Sequence, residues 1–339
     1  GVSFWDYLNS AKIVHKREDF GFLTADDVPV LRPVLDFGKF IKITSRGEAL
    51  SYLYDGLGRT LVYVGPVLDK ELKHGFNDHT DRHALWVTQT GWDLLARSGL
   101  SFDGKEAHDS KTDVLMTLVG MTHDLGNLVG RKKHSYFSVW MMGKIFYNFQ
   151  KYPSEWNAVL KAIRLHDEDA LKEERVDLQK SIPLLCALVA ADKMHVGRDR
   201  IGEKSLLDGV KKGAIEHDVH ILLNSLITRS TWYLGPKTFI WHLDFSVEQL
   251  AKKFASFTNG KDRLWVSEAF IKDYKKRGVT FRDSYIRQFG QIYADRVNFT
   301  AQSVFRLLPA VTKFKVVLVD NDTRGKVGDQ EMEVVQIDR

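Results

Sequence analysis

The stretch "LVGMTHDLGNL", residues 118–128, sets a histidine and an aspartate side by side at the end of an apolar run. A carboxylate drawn into apolar surroundings is costly unless something offsets its charge. What pairs with Asp124 therefore decides both what surrounds the doublet and what the doublet does. Either residue alone reads as a hydrogen-bonded core side chain or a cap, so what decides is which other segments aim at the same place.

Four segments do so by helical periodicity, each carrying an apolar stripe that reaches a ligand-type residue when extended by one step. In "TDRHALWVTQTGWDLL" the stripe Leu94, Thr90, Val87 runs back to His83. In "KKHSYFSVWMMGKI" Ile145, Met141 and Phe137 or Ser138 run back to His134. In "SEWNAVLKAIRLHDED" Trp156, Val159 or Leu160, and Ile163 run forward to His166; in "SIPLLCALVAADKMH" Leu185 and Leu188 or Val189 run forward to Asp192. With His123 and Asp124 these make four histidines and two carboxylates aimed at one helical core. Imidazole and carboxylate without thiolate suit iron, manganese or zinc and argue against a structural zinc finger. Six ligands exceed what one catalytic ion with an open position needs. Shared between two ions through one bridging carboxylate, they leave room for water on each, and the cations offset Asp124 and Asp192.

Composition sets the wider frame. A chain of 339 residues, 44% hydrophobic, is long enough to bury a substantial core in one large domain or two smaller ones. Net charge is +5, but the basic residues are interspersed with acidic ones, which favours small anionic ligands slightly and nucleic acid or a membrane surface only weakly. The lone Cys186 lies in "IPLLCALVAAD", where a buried core thiol is expected and no intramolecular disulfide can form. No run approaches eighteen apolar residues and no signal-peptide pattern opens the chain, so the expectation is a cytoplasmic protein.

Periodicity divides the chain into three. Residues 1–75 read as a helical, loop-rich lead-in and 76–200 as the helical core. Residues 201–339 read as a mixed α/β portion, with a hairpin around "LGPK" in 225–246, helical stretches at "VEQLAKKFASF" and between Leu264 and Leu308, and strands at "KFKVVLVD" and "MEVVQI". The fold class expected is mainly α, a helical bundle with a smaller mixed α/β C-terminal portion whose strands form a small sheet that covers the core or mediates homo-oligomer assembly.

The ordered series His83, His123-Asp124, His134, His166, Asp192 resembles the HD superfamily of metal-dependent phosphohydrolases in its two-metal form. "NDHTDRH", "THDLGN" followed by "GRKKH", and "LVAADKMHVGRDR" are similar to the family's blocks, and the resemblance spans roughly residues 76–200. It implies an HD-type helical bundle, with His83, His123 and Asp192 on one metal, His134 and His166 on the other, and Asp124 bridging. It also implies a metal-bridging hydroxide as nucleophile and a small phosphorylated substrate, with nucleotides and cyclic nucleotides the first classes to test. Two cations lower the pKa of a shared water and offset charge on the phosphoryl oxygens during in-line attack. One position departs from the pattern. Many relatives carry lysine in an "HDxGK" string where this chain has Asn127, and Arg131, Lys132 and Lys133 just beyond can take over neutralisation of substrate charge.

His79, four residues before His83, is a candidate substrate contact or general acid, although Asn77, Asp78 and Thr80 beside it equally mark a helix start. Arg198 and Arg200 in "GRDR" can clamp a phosphate or pair with Asp199. His195, one turn beyond Asp192, can stand behind the ligands but reads rather as a packing or surface residue, and Asp167, Glu168 and Asp169 read as a solvated acidic end after His166. Two other functions fit the ligand series. One is a di-iron oxygenase similar to myo-inositol oxygenase, built on the same kind of six-ligand set. The other is a non-catalytic metal- or nucleotide-binding regulatory module.

Overall fold

The computed structural model describes residues 35–57, 81–128, 133–197, 224, 226–246, 249, 289–290, 293–321 and 331–339. The protein is mostly helical, with a small sheet of mixed strands towards its C-terminal end. It divides into two compact units. The first comprises 1–70, 79–192 and 306–308; the second comprises 71–78, 193–305 and 309–339.

In the first unit a short strand β1 (Leu35–Asp36) leads into helix α1 (Phe37–Phe40), and residues 46–57 form helix α2. Then come α3 (Asp81–Ser98), α4 (Ser110–Thr122), a 3-10 turn Leu125–Leu128 and α5 (His134–Ile145). Strand β2 (Phe146–Tyr147), α6 (Pro153–Leu165), α7 (Glu168–Glu173) and α8 (Pro183–Met194) follow. The helical stretch expected from residue 76 onward is thus present across the described residues. Within the lead-in, the two-residue strand β1 pairs in parallel with β2, a contact that periodicity gives no hint of. Asp36 locks it: its carboxylate accepts from Lys39 N at 3.3 Å and from the Asn148 amide at 3.2 Å, while its backbone N–H donates to the Tyr52 hydroxyl at 2.8 Å.

Helix α4 is the centre of this unit. Asp109 caps it by accepting from Thr112 N at 2.9 Å, and every residue from Val114 to Thr122 is buried. A helix apolar all round belongs in the middle of a bundle. α3 lies close against it, because an added Cβ at Gly120 would stand 2.2 Å from Thr88 Oγ1 and 3.0 Å from Thr88 Cα. Arg46 of α2 pairs with Asp113 of α4 at 2.9 Å and lies over the Trp92 ring of α3. The central helix therefore ends deep among the packed helices of this unit, and it ends at His123.

The second unit holds β3 (Ile227–Leu234), β4 (Thr238–Phe245), helix α9 (Ala294–Leu307, whose last two residues fall in the first unit), β5 (Lys313–Asp320) and β6 (Glu331–Asp338). The strands stand in the order β3-β4-β5-β6, antiparallel at both edges and parallel between β4 and β5. Both hairpin strands and both terminal strands fall where alternation and β-branched residues place them, and they join in one sheet. Its buried face carries Phe239, Trp241, Leu243, Phe314, Val316 and Leu318. Apart from Gln249, the helix expected at "VEQLAKKFASF" lies outside the described residues, as do residues 264–288 and 291–292 of the 264–308 stretch.

Candidate metal centre

Each of the four stripes delivers its polar end to the interior. Val87, Thr90 and Leu94 are buried with His83; Phe137, Ser138, Met141 and Ile145 with His134; Trp156, Val159 and Ile163 with His166; and Leu185, Leu188 and Val189 line the helix that carries Asp192. The doublet completes the set from the C-terminal end of α4. His83 and His123 are fully buried, and Asp124 is 7% exposed.

The carboxylate of Asp124 stands between two pairs of imidazoles. Its Oδ2 is 3.3 Å from His83 Nε2 and 3.3 Å from His123 Nε2. Its Oδ1 is 3.3 Å from His134 Nε2 and 3.6 Å from His166 Nε2. Asp192 Oδ1 closes the first group, 3.1 Å from His83 Nε2 and 3.5 Å from His123 Nε2. Two donor sets result, His83-His123-Asp124-Asp192 and Asp124-His134-His166, with the atoms of each set within 4.8 Å of one another.

The imidazoles are oriented from behind. His123 Nδ1 lies 2.8 Å from the Gly120 carbonyl and His166 Nδ1 lies 2.5 Å from the Ile163 carbonyl, so each Nδ1–H donates to backbone and each Nε2 turns inward. His134 and His166 bring their Nε2 atoms to 3.2 Å of each other. His123 Nε2, although fully buried, has no partner in hydrogen-bonding geometry. It meets Asp124 at 3.3 Å and Asp192 at 3.5 Å through charge rather than through a directed hydrogen bond, which leaves it open to a cation.

Charge fits the same reading. Burial works against protonating His123, but the neighbouring Asp124 and Asp192 carboxylates outweigh it and raise the imidazole to about 10. Burial dominates at His166 and lowers it, leaving a neutral ring with a lone pair to give. One imidazole thus holds a proton against two carboxylates and another is kept ready as a donor. With metal-to-ligand bonds of about 2.1 Å, neighbouring ligands stand about 3.0–3.4 Å apart. The 3.1–3.6 Å spacings among these donors match that separation. The residues present fit divalent cations in both donor sets.

The other sequence candidates are placed as follows. Asn127 is buried, and its amide donates to the Asp124 carbonyl at 3.0 Å, tightening the turn behind the doublet. Lys133, with left-handed φ of 61°, directly precedes α5; its Nζ is 3.3 Å from Glu173 and lies over the Tyr136 ring. Asp167 stands before α7, and Glu168 and Asp169 occupy its first turn, where negative charge suits the helix dipole. His195 is buried. His79, Arg131, Lys132, Arg198 and Arg200 lie outside the described residues.

Two residues that shape the site escaped the sequence reading. Gly126 has no room for a side chain, since an added Cβ would lie 1.9 Å from the His134 carbonyl oxygen and 2.6 Å from Ser138 N. In the sequence Ser138 is only part of a stripe, yet its hydroxyl accepts from Gly126 N at 2.8 Å and lies 2.7 Å from the His123 carbonyl. The glycine two residues after Asp124 was the available signal for the first; nothing in the local pattern pointed to the second.

Compared with models of protein families, with curated proteins and with solved structures, the chain gives no match.

Proposed function

We propose that this protein is a metal-dependent phosphohydrolase that cleaves a small phosphoester, with nucleotides and cyclic nucleotides the first substrate classes to test. The observation that carries the two-cation part of this reading is the division of Asp124: each carboxylate oxygen faces a different pair of imidazoles. His83, His123 and Asp192 would hold one cation, His134 and His166 the other, and Asp124 both. The cations, whether iron, manganese or zinc, supply Lewis acidity for hydrolysis and offset the charge that develops on phosphoryl oxygens.

The chain's own groups do the remaining work. The backbone carbonyls of Gly120 and Ile163 hold the Nδ1 protons of His123 and His166, so the Nε2 atoms need no reorganisation when a substrate arrives. Lys133, with Arg131 and Lys132 before it, supplies positive charge in place of the lysine absent at Asn127, exchanging Glu173 for a phosphoryl oxygen. Arg198 and Arg200 clamp a phosphate and His79 protonates the leaving oxygen, while Asn127, buried with its amide on the Asp124 carbonyl, holds the turn rather than the substrate. These assignments draw on the resemblance to the HD superfamily and on the chemistry of the residue types.

The test is turnover of p-nitrophenyl phosphate and bis(p-nitrophenyl) phosphate by manganese-loaded protein, beside His123→Ala and Asp124→Ala. Hydrolysis by the wild type, lost in both variants, is the expected result. A fully loaded wild type that turns over neither ester counts against hydrolysis. If an iron-loaded sample instead consumes dioxygen, the oxygenase takes its place.

A further inference from the structure

Asp124 sits in a four-residue turn, and both ends of that turn meet one side chain. Ser138 is fully buried on α5, one helical turn after His134. Its hydroxyl accepts the Gly126 N–H at 2.8 Å and lies 2.7 Å from the His123 carbonyl oxygen, which flanks Asp124 on the other side. The same hydroxyl is 3.0 Å from the His134 carbonyl, the bond a helical serine ordinarily makes to the residue four before it. A single hydroxyl proton serves one acceptor at a time, and the shorter contact is the one to the doublet. The close approach that makes this bridge possible is the Gly126 position, where even a methyl group would strike the backbone of α5.

We propose that Ser138 is a positioning residue that fixes the gap between the two donor sets, by tying the turn that carries Asp124 to the helix that carries His134. The proposal rests on the two-cation reading above. Without the hydroxyl, His123 O and Gly126 N lose their shared partner, and the turn is free to shift along α5. Asp124 Oδ1 then moves relative to His134 and His166. The three-ligand set depends on that oxygen for its one carboxylate, whereas the other set keeps Asp192 as a second. The second cation to bind therefore suffers more than the first.

The test is a manganese titration by calorimetry and electron paramagnetic resonance on full-length wild type, Ser138→Ala, Ser138→Cys and Ser138→Thr, with thermal unfolding in the absence of cations alongside. Ser138→Ala is expected to weaken the second binding step about 10- to 100-fold, the range typical when a partner that orients a metal ligand is removed, and to change the first step far less. The spin-coupled two-manganese signal then gives way to that of isolated ions. Ser138→Cys, near in size but a weak donor, moves in the same direction and carries the test if the alanine variant does not fold. Ser138→Thr keeps the hydroxyl and restores the second step. Unchanged ratios between the two steps in Ser138→Ala and Ser138→Cys, whatever their melting temperatures, overturn the proposal and leave the serine a packing residue. Equal losses in Ser138→Thr and Ser138→Ala overturn it as well. A wild type that takes up fewer than two ions is a different result: it defeats the two-cation reading itself, and this proposal with it.

Discussion

Asp124 joins the two donor sets, and its replacement separates a shared site from two independent ones. Asp124→Ala takes a ligand from both donor sets at once and is expected to weaken the hold on both ions, while Asp192→Ala takes one from the first set alone and leaves the ion of Asp124, His134 and His166 in place. Elemental analysis after loading and desalting reads the difference. The proton on His123 gives a pH signature in the cation-free protein. Its value of about 10 lies above the ordinary 6.5, so the stabilisation it brings is fully present below about pH 6.5 and is lost as pH rises through 10. Manganese competes for the same nitrogen. Calorimetric titrations at pH 7.5 in buffers of different ionisation enthalpy should therefore show proton release on binding, and buffer-independent heats would contradict the charge state assigned here. Cys186 is also raised, but by burial, which keeps it neutral. Its buried thiol donates to the Leu178 carbonyl at 3.1 Å, and burial pushes it up to about 12. At pH 8 only about one molecule in ten thousand carries the reactive thiolate. A chromogenic disulfide reagent should label it only on unfolding; rapid labelling of the native protein would contradict its burial.

At the scale of elements, the stripes were legible because helical spacing converts a run such as Val87, Thr90, Leu94 directly into a face, and the residue at the end of that face must point inward. The strands were legible for a parallel reason: alternation in "KFKVVLVD" puts Phe314, Val316 and Leu318 on one side. Contacts between elements were not. Nothing near Leu35 announces Phe146 as its strand partner, and nothing near Ser138 announces the carbonyl of His123, because those pairings are settled by packing rather than by local preference. Gly126 shows how the two levels meet. Gly126→Ala must force the doublet turn and α5 apart at a backbone-to-backbone contact, an overpacking cost of about 1–3 kcal/mol. Chemical denaturation should show that loss together with weakened cation binding. Full retention of both would mean that the close approach at Gly126 does not exist in solution.

For the whole molecule, the donor sets come entirely from the first unit, from α3, α4 with the turn after it, α5, α6 with His166 at its end, and α8. Cations bound there tie together five segments that are separate in sequence, so they stabilise the folded state by mass action. At a free manganese concentration a hundred times the dissociation constant, each site adds about 2.7 kcal/mol. A rise in melting temperature with manganese, absent in His83→Ala and His166→Ala combined, is the expected behaviour. The most direct measurement is the number of ions held per chain. Mass spectrometric metal analysis of protein loaded with manganese and passed through a desalting column should give two for the wild type and none for Asp124→Ala. A wild-type value of one or zero, or an Asp124→Ala variant that still holds a pair, would contradict the shared-carboxylate centre.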